Sequence, residues 1–452
     1  MDQVARDLDA LASEVEGERF RHVAGIEPAP ALAAIFAARP RAAHRATAAA
    51  LREAGAGELA AQVAAARAER AQAEEEEGWR AAEAGASAPG PDGPVSLPDA
   101  DLAVLRERDR ERRLAFGRAA VEAAGRAAAR REAAVEVRAR ARAEVGLVPD
   151  WERVVEGDEV LHASREAWAD VLDWAARREL GLAPAPRGDL GRADLLHLAA
   201  LHRWDGLFRA GMLPVALKQT FEKLGLDLGR ARVDAASRPA QWPGVHVLGP
   251  RVSFRPRGGA GDWQDLLAGA GRALAASHHG ASARDAAFVH AFGAVLGSLV
   301  LEPRYLAERV EVEKRHAADL VRGLALRALL ALRARAAALR VAAEVERGLS
   351  GAAWRESYRG AMSTALLATW EGAWASRDAD APALAAALAG EGIAARLRLE
   401  LRERFDEDWW RNPRTAGHLA GLLAAGRVVK GAPQQEAAPQ DGARFLVEKI
   451  GA

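Results

Sequence analysis

The histidines are the first candidates for chemistry in this sequence, because imidazole is the commonest metal ligand and a frequent general base. The chain has 11 histidines and no cysteine, so disulfides, thiolate metal sites and cysteine nucleophiles are excluded. His197 and His202 lie five residues apart on one predicted helix, which turns the second side chain about 140° away from the first. We therefore expect them not to share one metal ion. No H-E-x-x-H, G-x-x-x-x-G-K-S/T or G-x-S-x-G motif occurs.

The segment from Asp262 to Ser277, DWQDLLAGAGRALAAS, is the most informative stretch for function. Asp262 is a candidate helix N-cap and Asp265 adds a second acidic residue nearby, so we predict a helix that begins here. Positions 268 and 272 are four residues apart and lie on one face of that helix. Side chains at this spacing can act on one ligand together.

The pattern L-L-A-G-A-G-R-A-L-A in this helix resembles the zinc-binding helix of the thimet oligopeptidase and oligoendopeptidase family of zinc metallopeptidases, which typically reads L-F-H-E-F-G-H-A-L-H. The framework positions that match are Leu266, Gly271, Ala273 and Leu274. By this resemblance, Ala268 and Arg272 stand where the family has its two histidine ligands. Gly269 stands where it has the catalytic glutamate. The matched frame therefore lacks the residues with which the family does its chemistry.

A second segment extends the resemblance. The family places a glutamate ligand downstream, in a helix that reads E-x-x-S-x-x-x-E, and Val295, Ser298 and Glu302 stand here at the same offsets. Val295 thus replaces the glutamate ligand, whereas the serine and the second glutamate are retained. A helical region that contains L-G-L-D and the strand-like GVHVLGPRVSFRP precede the motif as in the family, so the resemblance covers about residues 160 to 310.

These replacements predict a protein without catalytic zinc, since such a metal needs about three ligands with lone pairs and a nearby carboxylate as base. Ala268 and Val295 have no lone pairs, and Gly269 has no carboxylate. Arg272 is a cation that offers only hydrogen-bond donors. The family also uses tyrosines of its C-terminal part, but the only tyrosine after position 305 is Tyr358, in no family motif. The resemblance therefore implies an inactive member with no catalytic residue, no bound metal and no other cofactor.

Arg272 is the candidate anchor for a ligand. If its helix faces the second segment, the guanidinium projects into the volume that the family's metal and its ligands fill. We predict an ion pair with Glu302, or a hydrogen-bond network through Ser298, because a buried arginine without a partner is costly. An Arg272 that is exposed to an open channel would instead bind a ligand carboxylate, such as a peptide C-terminus.

The rest of the sequence predicts an almost wholly helical chain, because alanine dominates it and favours helix. The resemblance implies an all-α, two-lobed zincin-peptidase-like fold with a deep channel, and one small β-hairpin or edge sheet is predicted between Gly244 and Arg257. A very long helix is predicted from Pro303 to Leu349. The predicted units are N-terminal helices at 1–83, a Pro/Gly-rich loop or linker at 84–101, a long helix at 102–147, a peptidase-like helical core at 148–430 and a linker-like tail at 431–452.

The charge balance limits the kinds of partner. Lysine plus arginine and aspartate plus glutamate both number 63, which argues against the basic surface that nonspecific nucleic-acid binding needs. Residues 1–19 are acidic and lack an apolar signal region, and arginine interrupts even the leucine-rich stretch 324–343. We therefore expect a soluble cytoplasmic protein that binds neither nucleic acid nor a membrane. The sequence makes no prediction of its oligomeric state.

Three functions are consistent with these patterns. The first is non-catalytic binding of a peptide, a protein segment or a partner in or near the channel. The second is a purely structural or interaction protein whose cleft is filled by apolar side chains, and an open polar cavity would favour the first over the second. The third is an enzyme of an unidentified class, for which the cluster from Asp406 to Arg411, with Trp409 and Trp410, is the densest polar and aromatic candidate.

Overall fold

The computed structural model describes residues 2–147, 151–182, 189–427 and 437–451. Helices dominate these ranges, and the strands form two small sheets. The predicted all-α fold class is confirmed. Alanine lies on many buried helix faces, where its small side chain lets helices approach closely.

The N-terminal helices enclose a small hydrophobic cluster of their own. These helices are α1 (Asp2–Val23), α2 (Leu32–Ala38), α3 (Arg45–Glu53) and α4 (Gly57–Gly85). Leu11, Phe36 and Val63 are buried in this cluster, which is separate from the main core. Helix α4 also packs along the next long helix of the chain and so joins the N-terminal region to the rest.

The segment 84–101, predicted as a loop or linker, is a β-hairpin followed by the first turns of a helix. The elements are β1 (Ser87–Gly90), β2 (Gly93–Ser96), α5 (Leu97–Arg106) and α6 (Arg110–Glu144). Strands β1 and β2 pair antiparallel, and the Ser96 side chain caps α5. The Asp109 side chain caps α6, so the single helix predicted at 102–147 is two helices.

The main core is built around one long buried helix, α14. The helices after α6 are α7 (Trp151–Ala163), α8 (Arg165–Leu180), α9 (Arg192–Ala200), α10 (Leu213–Lys223), α11 (Ala260–Ala276), α12 (Ala286–Gly297), α13 (Pro303–Arg309), α14 (Lys314–Glu346), α15 (Gly351–Leu366), α16 (Ala381–Phe405), α17 (Thr415–Ala425) and α18 (Pro439–Gly451). Short 3₁₀ turns lie at Pro40–Ala43, His202–Trp204, Ala210–Met212, Leu228–Arg230, Ala281–Ala283, Ser298–Leu301, Gly372–Asp378 and Trp409–Arg411. Helix α14 packs against α7, α15, α16 and α18, which explains why apolar residues cover most of its surface.

The helix predicted from Pro303 to Leu349 is divided into α13 and α14. Between them, Glu311 has a left-handed φ of 57°, a conformation that a right-handed helix does not contain. Val310 and Val312 on either side are buried. Burial of these two valines therefore accompanies a break that no proline or glycine signals.

A three-stranded sheet lies against α11. Its strands are β3 (Arg232–Asp234), β4 (Gly244–Leu248) and β5 (Arg251–Arg255). The order is β3-β5-β4, with β4 and β5 antiparallel and β3 parallel to β5. The hairpin predicted between Gly244 and Arg257 is present, with a third strand beside it.

Residues 437–451, predicted as part of a linker-like tail, contain the docked helix α18. This helix packs against α7, α14 and α16. The Arg322 Nε donates a hydrogen bond of 2.8 Å to the backbone oxygen of Ile450, which ties α18 to α14.

Within the described ranges, no individual helix has both the length and the apolar composition of a membrane span. One bent pair, Ala286–Leu301 with Pro303–Arg309, meets the length and composition criteria when its two parts are taken together.

Candidate binding site

A cavity of about 720 Å³ lies beside α11 and α12, the helices that carry most of the candidate positions. Helices α9, α11, α12, α14 and α16 contribute much of its wall, and Leu446 of α18 adds to it. Its volume falls within the range of about 300–1,000 Å³ that is typical of ligand pockets.

Glycine and alanine let α11 and α12 pack with their backbones almost in contact. A methyl group added to Gly293 would lie 2.6 Å from the backbone oxygen of Ala268. One added to Gly297 would lie 2.9 Å from the Ala268 side chain, and one added to Gly271 would lie 3.1 Å from Cα of Gly293. The interface between the two helices therefore has no space for larger side chains at these glycines.

Among the candidate positions, Ala268 and Ser298 both line the cavity. Val295 is 1% exposed and does not line it. Because Gly293 faces α11, Val295 lies about 200° further around α12 and points away from α11. Ala294 takes the cavity-facing place instead. The structure thus brings positions 268 and 298 together and leaves position 295 apart.

Gly269 faces the sheet and not the cavity. A methyl group at this position would lie 2.5 Å from Cγ1 of Val245 and 3.3 Å from Cγ2 of Val247, both on β4. Glycine is therefore the residue that allows β4 to approach α11 this closely.

The predicted ion pair between Arg272 and Glu302 is wrong. Glu302 accepts a hydrogen bond of 2.9 Å from Lys449 Nζ, because α18 docks beside it. The predicted alternative, a network that joins Arg272 and Glu302 through Ser298, is also wrong, because Ser298 Oγ accepts a hydrogen bond of 2.8 Å from Arg398 Nε of α16. Arg272 instead lies along α12, and its buried Nε has no hydrogen-bond partner among the described residues.

Three arginines surround one carboxylate near α12. Arg335 of α14 approaches Glu391 of α16 at 3.4 Å, and the same carboxylate attracts Arg398. Arg272 is attracted by Asp265 and then by Glu391. Arg398 is only 6% exposed, and its Nη2 donates a hydrogen bond of 2.8 Å to the backbone oxygen of Ala294. Within the described ranges Arg398 forms no ion pair. We call Arg272, Arg335 and Arg398 the arginine cluster.

The arginine cluster is positively charged at neutral pH. Burial lowers the pKa of Arg398 to about 10, although Glu391 opposes the shift. Burial, followed by repulsion from Arg335, also lowers the pKa of Arg272 to about 10. Both values lie well above 7, so both side chains stay protonated and Glu391 does not neutralise the cluster alone.

The N-terminal half of α11 adds two aspartates with different surroundings. Arg327 holds Asp265 through hydrogen bonds of 2.9 and 2.7 Å, and Arg257 forms a second ion pair with it. Burial disfavours ionised Asp265, but Arg327 and Arg257 outweigh burial and lower its pKa to about 2. Burial raises the pKa of Asp262 to about 6, and its Oδ1 lacks a hydrogen-bond partner among the described residues.

His202 lines the cavity, and its Nδ1 lies 3.0 Å from Oδ2 of Asp205. The rings of His197 and His202 lie 4.9 Å apart, although the sequence predicted that they point in different directions. That prediction is wrong because α9 ends before Leu201, which adopts a left-handed φ of 59°. Burial, with help from nearby cations, lowers the pKa of His197 to about 4, so this ring is neutral at pH 7.

The donors around the cavity do not fit the catalytic zinc of the family that the sequence resembles. Position 268 offers a methyl group, and the Ser298 hydroxyl is already bonded to the cationic Arg398. Within the described part of the chain, no group of three or more histidines, aspartates or glutamates could hold a metal ion. The arrangement is suited to binding an anion rather than a dication.

Sequence reasoning missed the arginines of α14 and α16. Arg327, Ala331 and Arg335 recur at four-residue intervals and form one stripe that faces the cavity. Helical periodicity could have detected this stripe. The role of Arg398 depends on α16 crossing α12, which no local pattern encodes.

The chain is similar to known proteins in its fold. No protein-family model and no curated protein matches its sequence. A solved structure of Pz peptidase A with an inhibitor has a TM-score of 0.61 and 12% identity, over 96% of this chain and 86% of that chain. Two structures assigned as oligoendopeptidase F, the second from Bacillus anthracis str. Ames, have TM-scores of 0.55 and 0.51 at 13% identity, over 96% of this chain and 85% and 84% of theirs. This chain therefore has the helical, peptidase-like fold that the resemblance in its sequence implied.

Proposed function

We propose that this chain is a catalytically inactive, metallopeptidase-like protein that binds a peptide, a protein segment or a partner in the cavity beside α11 and α12. The observation that carries the proposal is the open volume of about 720 Å³, whose wall combines apolar surface with guanidinium and carboxyl groups. A protein that used this fold only as a scaffold would gain stability by filling such a volume. One similar structure is a peptidase that holds an inhibitor, so the same fold elsewhere accommodates a ligand.

The residue types at the candidate positions support binding without hydrolysis. A zinc peptidase needs a metal-bound water and a carboxylate that accepts its proton. Position 268 is alanine, and position 269 is a glycine that packs against β4. Arg272 places a positive charge near the same helix face, which opposes the binding of a dication.

The two alternative functions have less support. The open cavity argues against a filled cleft. In the cluster from Asp406 to Arg411, the indole of Trp410 is fully buried and packs edge-on against Tyr305, with ring centroids 5.3 Å apart. Arg411 pairs at 2.5 Å with Asp408, the residue that precedes the 3₁₀ turn Trp409–Arg411. These contacts favour a structural role for the cluster over a catalytic one.

Filling the cavity tests the proposal. Ala331 lines the cavity and Ala420 is exposed on α17, so Ala331→Trp and Ala420→Trp form a matched pair. The full chain and both variants are titrated into a mixed pool of fluorescein-labelled octapeptides, and binding is followed by fluorescence polarisation. We expect Ala331→Trp to weaken binding by about tenfold or more, equal to about 1.4 kcal/mol, and Ala420→Trp to leave it unchanged.

Two outcomes would contradict the proposal. Equal binding by wild type and Ala331→Trp would place the peptide outside the cavity. Hydrolysis of the peptide pool that a chelator abolishes would contradict the absence of catalysis.

A further inference from the structure

The charge on the cavity wall indicates the chemistry of the ligand, an inference that rests on the proposed function. Among the described residues that line the cavity, eight are arginines and four are aspartate or glutamate. A wall with this excess of guanidinium groups attracts anions and repels cations. The next question is which of the positive charges lack a partner.

Three of the six described cavity arginines away from the cluster are bound by carboxylates. Asp265 neutralises much of the charge on Arg327 and Arg257. Arg192 is held by Asp101, which lies outside the wall, through two hydrogen bonds of 2.8 Å. These side chains are therefore less available to a ligand.

The arginine cluster is different, because Arg335 and Arg398 share the carboxylate of Glu391. Arg272 is attracted by Asp265, which already pairs with Arg257 and Arg327, and then by Glu391. Glu302, the next acidic group that attracts Arg398, is bonded to Lys449. Arg398 and Arg335, both of which line the cavity, are therefore two cations beside one carboxylate.

Arg398 is also held in place for a ligand. Ser298 and the backbone of Ala294 accept hydrogen bonds of 2.8 Å from its Nε and Nη2. Phe445 of α18 packs against it, with 4.3 Å between the guanidinium carbon and the ring centroid. Its Nη1 makes no hydrogen bond to a described residue. A buried guanidinium without a carboxylate partner is unfavourable, and a ligand carboxylate would supply that partner. Because the Arg398 side chain is already fixed by these contacts, little side-chain entropy would be lost on binding.

We infer that the arginine cluster binds a carboxylate of the peptide ligand, with Arg398 and Arg335 in contact and Arg272 as a nearby positive charge. The planar, paired donors of arginine match the two oxygens of a carboxylate. The carboxylate can be the C-terminus of the peptide or an aspartate or glutamate side chain, since both present the same group.

Three labelled octapeptides distinguish these sources. The first carries aspartate and glutamate and has an amidated C-terminus. The second replaces those residues with asparagine and glutamine and is also amidated, and the third is the neutral peptide with a free C-terminus. We expect the first or the third to bind the full-length protein about tenfold more tightly than the second, and the tighter one identifies the source.

Substitutions then assign the preference to the cluster. Arg335→Gln and Arg398→Gln should each lower the preference for the carboxylate peptide by about tenfold. Arg177→Gln is the matched control, because Arg177 is exposed on α8 and pairs with Asp173 away from the cavity. Arg398 also ties α16 to α12, so Arg335→Gln, at a more exposed side chain, tests the inference independently of folding.

The outcomes separate this inference from the proposed function. Equal affinity for all three peptides, lost in Ala331→Trp, would overturn the carboxylate inference and leave peptide binding in place. An unchanged preference in Arg335→Gln and Arg398→Gln would also overturn it. Absence of binding to all three peptides would contradict the proposed function itself.

Discussion

The close packing of β4 on α11 makes Gly269 a position where one added methyl group should destabilise the protein. An alanine Cβ would lie 2.5 Å from Cγ1 of Val245, roughly 1 Å closer than carbon atoms pack at their optimum. Overpacking of this kind costs about 1–3 kcal/mol, and the better helix propensity of alanine offsets about 1 kcal/mol. We therefore expect Gly269→Ala to lower the free energy of unfolding by about 1 kcal/mol.

Two further variants isolate the cause. Val245→Ala removes the closest methyl group and leaves the 3.3 Å contact with Cγ2 of Val247, so Gly269→Ala in that background should no longer lower the free energy of unfolding, because the gain in helix propensity of about 0.5–1 kcal/mol offsets the remaining contact. Gly125 is exposed in the middle of α6, with nothing within 4 Å of an added methyl group. Gly125→Ala should therefore stabilise the protein by about 0.5–1 kcal/mol.

Urea denaturation followed by tryptophan fluorescence measures these differences, provided that the free energy of unfolding falls with urea concentration at the same slope in all variants. A Gly269→Ala variant as stable as Gly125→Ala would refute the close approach of β4. Simple additivity of Gly269→Ala and Val245→Ala would refute the role of Val245. If the approach is correct, Gly269→Glu meets the same obstacle and adds an unpaired carboxylate, so the catalytic base of the resembled family cannot be introduced alone.

Three other predictions follow from the site. Purified protein should carry no stoichiometric zinc after dialysis and cleave no peptide, and one zinc per chain with chelator-sensitive cleavage would contradict this. Burial raises the pKa of Asp262 to about 6 from its unfolded value of about 4. The contribution of protonated Asp262 to the free energy of unfolding is therefore fully present below pH 4, and roughly 3 kcal/mol of it is lost as the pH rises through 6. Asp262→Asn should therefore gain stability relative to wild type between pH 4 and pH 7.5 in urea titrations, and a constant difference would refute the shift. Lys449→Met should lower the free energy of unfolding by about 1–2 kcal/mol, because Glu302 loses its partner. The double variant Lys449→Met with Glu302→Gln should recover part of that loss. A midpoint of thermal unfolding that is the same in Lys449→Met and wild type would refute the contact.

The sequence predicted the helical class and the position of α11 because both depend on local properties. Alanine-rich composition favours helix throughout, and the helix expected near Asp262 begins at Ala260. The hairpin at 84–101 was not predicted because its prolines and glycines are typical of loops, and pairing of Pro89 with Pro94 is unusual in a sheet.

The partners of the candidate site could not be predicted from local patterns. Lys449 and Arg398 reach Glu302 and Ser298 from helices about 150 and 100 residues away along the chain, so their contacts depend on the packing of the whole core. The pairing expected for Arg272 considered only the two helices of the resembled motif. The cavity-facing arginines of α14, by contrast, follow from four-residue spacing alone.

Helix α18 forms part of the cavity wall, so the docking of this helix and the binding of a ligand are thermodynamically linked. Leu446 lines the cavity and Phe445 supports Arg398. A ligand that contacts Arg398 in its present position stabilises the docked helix relative to an undocked one, and docking strengthens ligand binding by the same factor. Backbone amides of residues 439–451 should therefore exchange with deuterium more slowly as the cavity fills, so that this helix reports occupancy without any added label.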